Sequence, residues 1–225
     1  MARIGYALRS DAAYLTWDDG KANAVSSPTL IELNEALDRA ESDSARAIVL
    51  TGRPGVYCAG FDLKELGSGG DATRKLVRTG AELLIRLYEC PTPIVAGCTG
   101  HALGMGALLL LAPDVRIGDP GPHKIGLNEV AISLALPTFG TELAMERLSR
   151  RHLTRAVQLA EIYDPVGAVD AGYLDRVCPS GGLEAALEAE AARLAALSGP
   201  AHGRTKQRLH AATIKRIRAS LDEAV

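Results

Sequence analysis

The spacing of hydrophobic and polar positions changes period along the chain. Arg3–Arg9 and Ala13–Trp17 alternate or cluster apolar, β-favouring residues around Ser10-Asp11, which predicts an opening hairpin. Leu30, Ile31, Leu33, Leu37 and Ala40 then recur at helical spacing behind Ser26, Ser27 and Pro28, a capping pair followed by an early-turn proline. The run Arg46–Thr51 predicts a short buried strand that ends at Gly52-Arg53-Pro54-Gly55, and Val56–Ala59 resumes extended structure. A second amphipathic helix is predicted over Thr73–Tyr88, stopped before Pro91 and Pro93, with another buried strand at Ile94–Cys98. Thr99–Gly106 reads as a glycine-bearing turn into the apolar helix Ala107–Ala112; Val115–Gly118 and Lys124–Leu127 read as further strands. From Thr141 onward the pattern is mostly helical: Thr141–Leu148, His152–Glu161, Pro165–Ala171, Leu183–Leu197 and a basic helix, Arg204–Ile217.

Strands alternating with helices, then helices alone, describe an α/β core with a helical C-terminal part. Ser198-Gly199-Pro200 is the best hinge, so the expected division is a core over 1–197 and a helical segment over 198–225. With 225 residues, 47% of them hydrophobic, the chain can bury a sizeable core. A net charge of -2 gives no electrostatic reason to expect nucleic acid or an anionic membrane as partner. Cys58, Cys90, Cys98 and Cys178 lack C-x-x-C spacing and read as reduced thiols, and the five histidines are too scattered for a metal site. No apolar run of signal-peptide length opens the sequence, and Ala107–Ala112 is too short to span a bilayer, so a cytoplasmic location is expected.

Three segments carry candidate chemistry. In Val56–Leu66 a strand ends at Ala59-Gly60, and Gly60 frees the backbone to bend so that the Phe61 amide can point outward. In Gly100–Gly106 the amides around Met105 open a helix, where unsatisfied N–H groups and the helix dipole favour a negative oxygen. Together they could supply two donors to an oxyanion, although either alone reads more simply as a turn. The third, Ile125–Ile132, sets Glu129 among apolar neighbours, which raises a carboxyl pKa towards the range useful for moving protons near neutrality.

Lys21–Ser26, Tyr57–Leu63, Gly100–Gly106 and Ala112–Arg116, in this order and at these separations, resemble the crotonase (enoyl-CoA hydratase/isomerase) superfamily, over roughly residues 1–180. The resemblance implies a spiral core of β-β-α units, a helical C-terminal trimerisation region, and an acyl-CoA substrate whose thioester oxygen lies between two backbone amides. Those amides fall on Phe61 and Met105. The matching positions for the coenzyme A path are Lys21, Ala22, Ala24, Cys58, Ala59, Phe61, Asp62, Leu63, Gly104, Met105 and Leu108, with Lys206 near the CoA phosphates. Coenzyme A is then part of the substrate, and no separate cofactor or metal is expected. Hydratases of the family use two glutamates; the first falls at Leu108 and is missing, and the second matches Glu129. One carboxylate with Leu136-Pro-Thr-Phe139 behind it looks like the Δ3,Δ2-enoyl-CoA isomerases. The implied assembly is a trimer or dimer of trimers, and apolar spacing in Thr141–Leu148 and Leu183–Leu197 supports it.

Other readings compete. Hydration is one, since single-carboxylate members of varied chemistry exist in the superfamily. A catalytically degenerate binding or assembly subunit is another, motivated by Leu108 and Met105. A nucleotide-binding oxidoreductase is the weakest, because the glycines run G-x-x-x-G-x-G and lie mid-chain.

Overall fold

The computed structural model describes residues 2–221. The opening hairpin forms as expected: β1 (Ile4–Arg9) pairs antiparallel with β2 (Ala12–Trp17). Helix α1 (Ser27–Ser42) starts where Ser26 accepts a hydrogen bond from the Thr29 N–H and Pro28 occupies the first turn. Its stripe Leu30, Leu33, Ala36, Leu37 and Ala40 is buried, each leucine contributing roughly 2 kcal/mol of transfer free energy. The chain then climbs in repeating turns. β3 (Ala47–Gly52), β5 (Ile94–Cys98) and β7 (Val115–Gly118) add in parallel to the hairpin, and β9 (Arg176–Val177) closes a six-stranded sheet ordered β1-β2-β3-β5-β7-β9. After each of the first three, the chain bends into a second, three-stranded parallel sheet of β4 (Gly55–Cys58), β6 (Gly100–Leu103) and β8 (Ile125–Gly126). One strand in each of the two sheets, then a helix, repeats along the chain: this is the β-β-α spiral.

Between these strands lie α2 (Leu63–Leu66), α3 (Gly70–Glu89) and α4 (Met105–Leu111). The main core packs α1, α3 and α4 against one face of the large sheet, through Leu15, Trp17, Ile48, Leu50, Ile94 and Ala96. The alternate residues Ala12, Ala47, Val49, Val95 and Ile117 face the other way, as the two-residue period of a strand requires, and are covered by α7 (Leu183–Leu197) through Leu187, Ala191, Leu194 and Ala195. The apolar face of α7, expected to seek a partner subunit, is therefore covered by the chain's own sheet.

Two local expectations change. Gly100–Leu103 is a strand rather than part of a turn, because β4 and β8 flank it; a Cβ at Gly100 would lie 1.9 Å from the Gly55 backbone, so glycine is what lets the strands cross here. The helix expected over His152–Glu161 is only one wide turn, Thr154–Gln158, because Ala160 turns left-handed (φ 50°) and Tyr163 is drawn out to pair with Ile125. α5 (Thr138–Arg147) and α6 (Pro165–Ala171) follow the pattern closely.

The last helix, α8 (Pro200–Ser220), buries Ile214 and Ile217 in the main core cluster, so the described part of segment 198–225 packs with residues 1–197; positions 222–225 lie outside the described residues. Lys206 is the clearest departure from expectation. Its ammonium is 5% exposed and donates to Asp114 Oδ2 at 2.8 Å, an oxygen that also accepts from the Ile94 N–H. Lys206 is thus engaged by Asp114 within the protein rather than standing on an exposed helix face, and it ties α8 to the β5 and β7 strand ends. Lys206→Ala leaves a half-buried carboxylate without its cation and is expected to cost about 2 kcal/mol of stability, read as a lowered urea midpoint. Among the described residues no helix is long and apolar enough to cross a membrane.

Candidate active site

Two backbone turns meet where the small sheet ends. β4 runs out through Ala59 to Gly60, whose φ of 98° is one that glycine adopts freely and other residues rarely do. β6 runs out to Gly104 (φ 54°), and Met105 opens α4. A Cβ at Gly60 would stand 3.0 Å from the Leu103 carbonyl oxygen and 3.5 Å from the Met105 nitrogen, so the two turns are in backbone contact. A Cβ at Gly106 would stand 2.1 Å from the Cys58 carbonyl oxygen, so the first turn of α4 lies directly on the end of β4. Neither the Phe61 nor the Met105 N–H donates to another group among the described residues. Two neighbouring amides are thus left without a protein acceptor among the described residues.

Their side chains leave in another direction. A Cβ at Gly80 in α3 would lie 2.7 Å from the Phe61 ring and 3.4 Å from Met105 Cε, so both side chains pack on α3 and a methionine at 105 leaves its amide unobstructed. Gly100 and Gly106 are likewise filled against backbone, which leaves no phosphate cradle for the dinucleotide reading.

Glu129 reaches this point from a separate segment. Its Oε1 stands 3.4 Å from where a Cβ would project at Gly104, the residue before Met105, with Asn128 Oδ1 at 3.3 Å. Its Oε2 is buried and has no hydrogen-bond partner among the described residues. Burial pushes the carboxyl pKa above its ordinary value, and a hydrogen bond from its own backbone N–H offsets only part of this. A desolvated carboxylate with one oxygen left without a partner is an arrangement that stability alone does not favour. Leu108 is 1% exposed and packs one turn along α4 against Gly140 and Leu136. A cavity of about 790 Å³ opens beside them, walled by Val77 and Ala81 of α3 and by Leu134, Leu136 and Phe139. Arg74, Lys75 and Arg78 line it as well.

The positions matched to the CoA path range from exposed residues to buried ones, the latter including Cys58, Gly104, Met105 and Leu108. Lys21 and Ala22 are exposed, and the Ala22 carbonyl accepts from the Ala59 N–H at 3.1 Å, which ties this loop to the end of β4. Cys58 is buried; its Sγ accepts from the Gly60 N–H, and burial pushes the thiol up to about 12. Asp62 caps α2 by accepting from the Lys64 and Glu65 N–H groups, and Leu63 is 71% exposed at the mouth of that turn. Lys206 alone stands apart, held by Asp114. Asp19, Asn23, Gly80 and Asn128 shape the site without having been singled out from sequence. The interior glycine of an otherwise regular helix was a visible signal for Gly80. For the others nothing in a single sequence separates a buried polar group from a loop one. Among the described residues no group of three or more His, Cys, Asp or Glu is placed to hold a metal ion.

A family model described as enoyl-CoA hydratase/isomerase matches residues 9–223. A solved structure of an enoyl-CoA hydratase/isomerase family protein from Pseudomonas syringae superposes with a TM-score of 0.96 at 40% identity, covering 98% of this chain and 96% of that one. Human mitochondrial enoyl-CoA delta isomerase 1 is 30% identical over 217 residues, 95% of this chain and 72% of that protein. The alignments with its mouse and rat counterparts span 56% and 59% of those proteins, under two thirds of their length. A probable enoyl-CoA hydratase of Bacillus subtilis is 34% identical over 200 residues, 87% of this chain and 76% of that protein. With its spiral core and these matches, the chain belongs to the enoyl-CoA hydratase/isomerase family of the crotonase superfamily.

Proposed function

We propose that the protein moves the double bond of a 3-enoyl-CoA into conjugation, giving the 2-enoyl-CoA, with Glu129 as its one proton shuttle. The observation that carries this reading is the carboxylate of Glu129, whose buried Oε2 has no partner among the described residues and whose Oε1 is set against Gly104, with apolar Leu108 where a second carboxylate would be needed to hold water. In the forward step Glu129 takes a proton from C2, and the electron pair spreads onto the thioester oxygen, where the Phe61 and Met105 N–H groups stabilise it. The C3–C4 double bond becomes C2–C3 as Glu129 returns the proton to C4. Atoms and charge balance without any cofactor.

Water addition is the second reading, favoured by the similarity to the Bacillus subtilis probable hydratase. A panel of 3-enoyl- and 2-enoyl-CoA substrates with product identification decides between them: isomerisation faster than hydration is expected. The reverse order would transfer the assignment to hydration, and no turnover of either would leave the binding-subunit reading. A trimer in the cytoplasm completes the proposal. Exposed Met145 (51%) on α5 and Leu209 (69%) on α8 support association, and the four free cysteines suit a reducing compartment. Light scattering at micromolar concentration is expected to give about three times the monomer mass or a multiple of that.

A further inference from the structure

We infer that Asp19 and Asn23 are positioning residues for the oxyanion hole, acting through Val25 to hold the plane of the Gly60–Phe61 peptide and so the direction of the Phe61 N–H. The inference rests on the proposed role of that N–H as a donor to the thioester oxygen.

A peptide unit is planar, and no cis bond occurs among the described residues, so the Gly60 carbonyl and the Phe61 N–H point in opposite directions. The Val25 N–H donates to the Gly60 carbonyl oxygen at 2.8 Å, and the Asp62 N–H donates to the Val25 carbonyl at 3.0 Å. Val25 thus grips the strand on both sides of Phe61, pulling the Gly60 oxygen towards itself and turning the Phe61 N–H away, where it meets no protein acceptor. Glycine at 60 cannot set this plane by its own sterics, since it has the widest choice of backbone angles. The orientation has to be imposed from outside, and Val25 is the residue that imposes it.

What holds Val25 is the loop before it. One carboxylate oxygen of Asp19 accepts from the Lys21 N–H at 2.7 Å and the Asn23 N–H at 2.9 Å, and the other accepts from the Ala24 N–H at 3.1 Å. Asn23 is fully buried in a left-handed conformation (φ 51°), which asparagine tolerates better than most residues. Its Oδ1 accepts from the Asp19 N–H at 3.0 Å. Its Nδ2 lies 2.7 Å from the Trp17 carbonyl oxygen, 3.2 Å from that of Tyr57 and 3.3 Å from that of Val56, and donates among them. The last two carbonyls belong to β4, the strand that continues into Gly60 and Phe61. The loop is pinned to that strand before the hole by Asn23 and across it by Val25. An aspartate at 23 would turn a second oxygen towards three carbonyls, so the pattern needs the amide.

Two variants of the full chain separate positioning from folding. Asn23→Gly accepts the left-handed backbone and deletes the side-chain clamp. Replacing Val25 with its α-hydroxy analogue turns one amide into an ester and deletes the N–H that Gly60 accepts. The probe is hexanoyl-CoA carrying a ¹³C thioester carbonyl, whose infrared stretch falls when N–H groups polarise it. In the unaltered protein the bound stretch is expected to lie below that in water. In both variants hexanoyl-CoA binding should stay within about 3-fold while kcat on 3-hexenoyl-CoA drops by roughly 10- to 100-fold, with the stretch moving back towards its unbound value. A folded variant that keeps both kcat and the stretch overturns the inference, and the ester variant decides alone should Asn23→Gly fail to fold. Absence of any shift in the unaltered protein would instead remove the proposed function, and this inference with it.

Discussion

Replacing Glu129 with glutamine is expected to lower kcat on a 3-enoyl-CoA by about 100-fold or more while leaving the substrate Kd nearly unchanged. Glutamine keeps the shape of the side chain and its reach towards Gly104, and it removes only the base. The same change should stabilise the fold. Burial raises the folded-state pKa of Glu129 above its unfolded value, so the folded chain binds the proton more tightly and loses stability as pH rises through that window. At neutral pH the ionised group therefore costs the fold free energy, and Glu129→Gln relieves that cost. A higher melting temperature together with a lower kcat is the expected signature, measured by scanning calorimetry and a coupled isomerase assay. For the unaltered enzyme the base must be ionised, so kcat/KM should fall on acidification with an apparent pKa above the ordinary carboxylate value. An unchanged kcat in the glutamine variant would remove Glu129 from the mechanism and leave the family assignment standing.

Gly106→Ala should produce a large loss of stability. On helix propensity alone alanine would be favoured by nearly 1 kcal/mol, yet its Cβ would lie 2.1 Å from the Cys58 carbonyl oxygen and 2.7 Å from the Cys58 carbonyl carbon. Both are backbone atoms of a buried strand end, so relief comes only by lifting α4 off β4. The expected net cost is about 3 kcal/mol, equivalent to a melting temperature lower by roughly 6–12 °C. Lifting α4 also carries the Met105 N–H away from that of Phe61, so kcat should fall even in the fraction that remains folded. A variant with unaltered stability would mean that the helix start is not held as closely to the strand as the geometry requires.

Both expectations depend on close approaches between segments distant in sequence, and that is where legibility from sequence ends. Phe61, Met105 and Glu129 could be singled out because each carries a local mark: a strand ending at glycine, a glycine turn opening an apolar helix, and a carboxylate among apolar neighbours. The opening hairpin, α1 and the strands β3 and β5 were legible for a similar reason, since caps, prolines and the two- and 3.6-residue periods act within a few residues. Periodicity reports that a face is buried without saying against what. The apolar stripe of α7 could therefore be read as a subunit contact, although the chain's own sheet covers it. Lys206 sits in a run of basic residues whose local pattern suggests solvent or phosphate, and only the packing of α8 brings its ammonium to Asp114, 92 positions away. Strand β6 was hidden because its glycines look like a turn until β4 and β8 lie on either side of it. By itself the sequence determined the alternation of strands and helices, the ends of the capped helices, and which residue types could carry the chemistry. Tertiary structure decided that Glu129 Oε2 has no partner among the described residues, that two neighbouring backbone amides are left there without a protein acceptor, and that Asp19 and Asn23 hold one of them in place. Those properties depend on distances and solvent exclusion between separated segments, which no local pattern encodes.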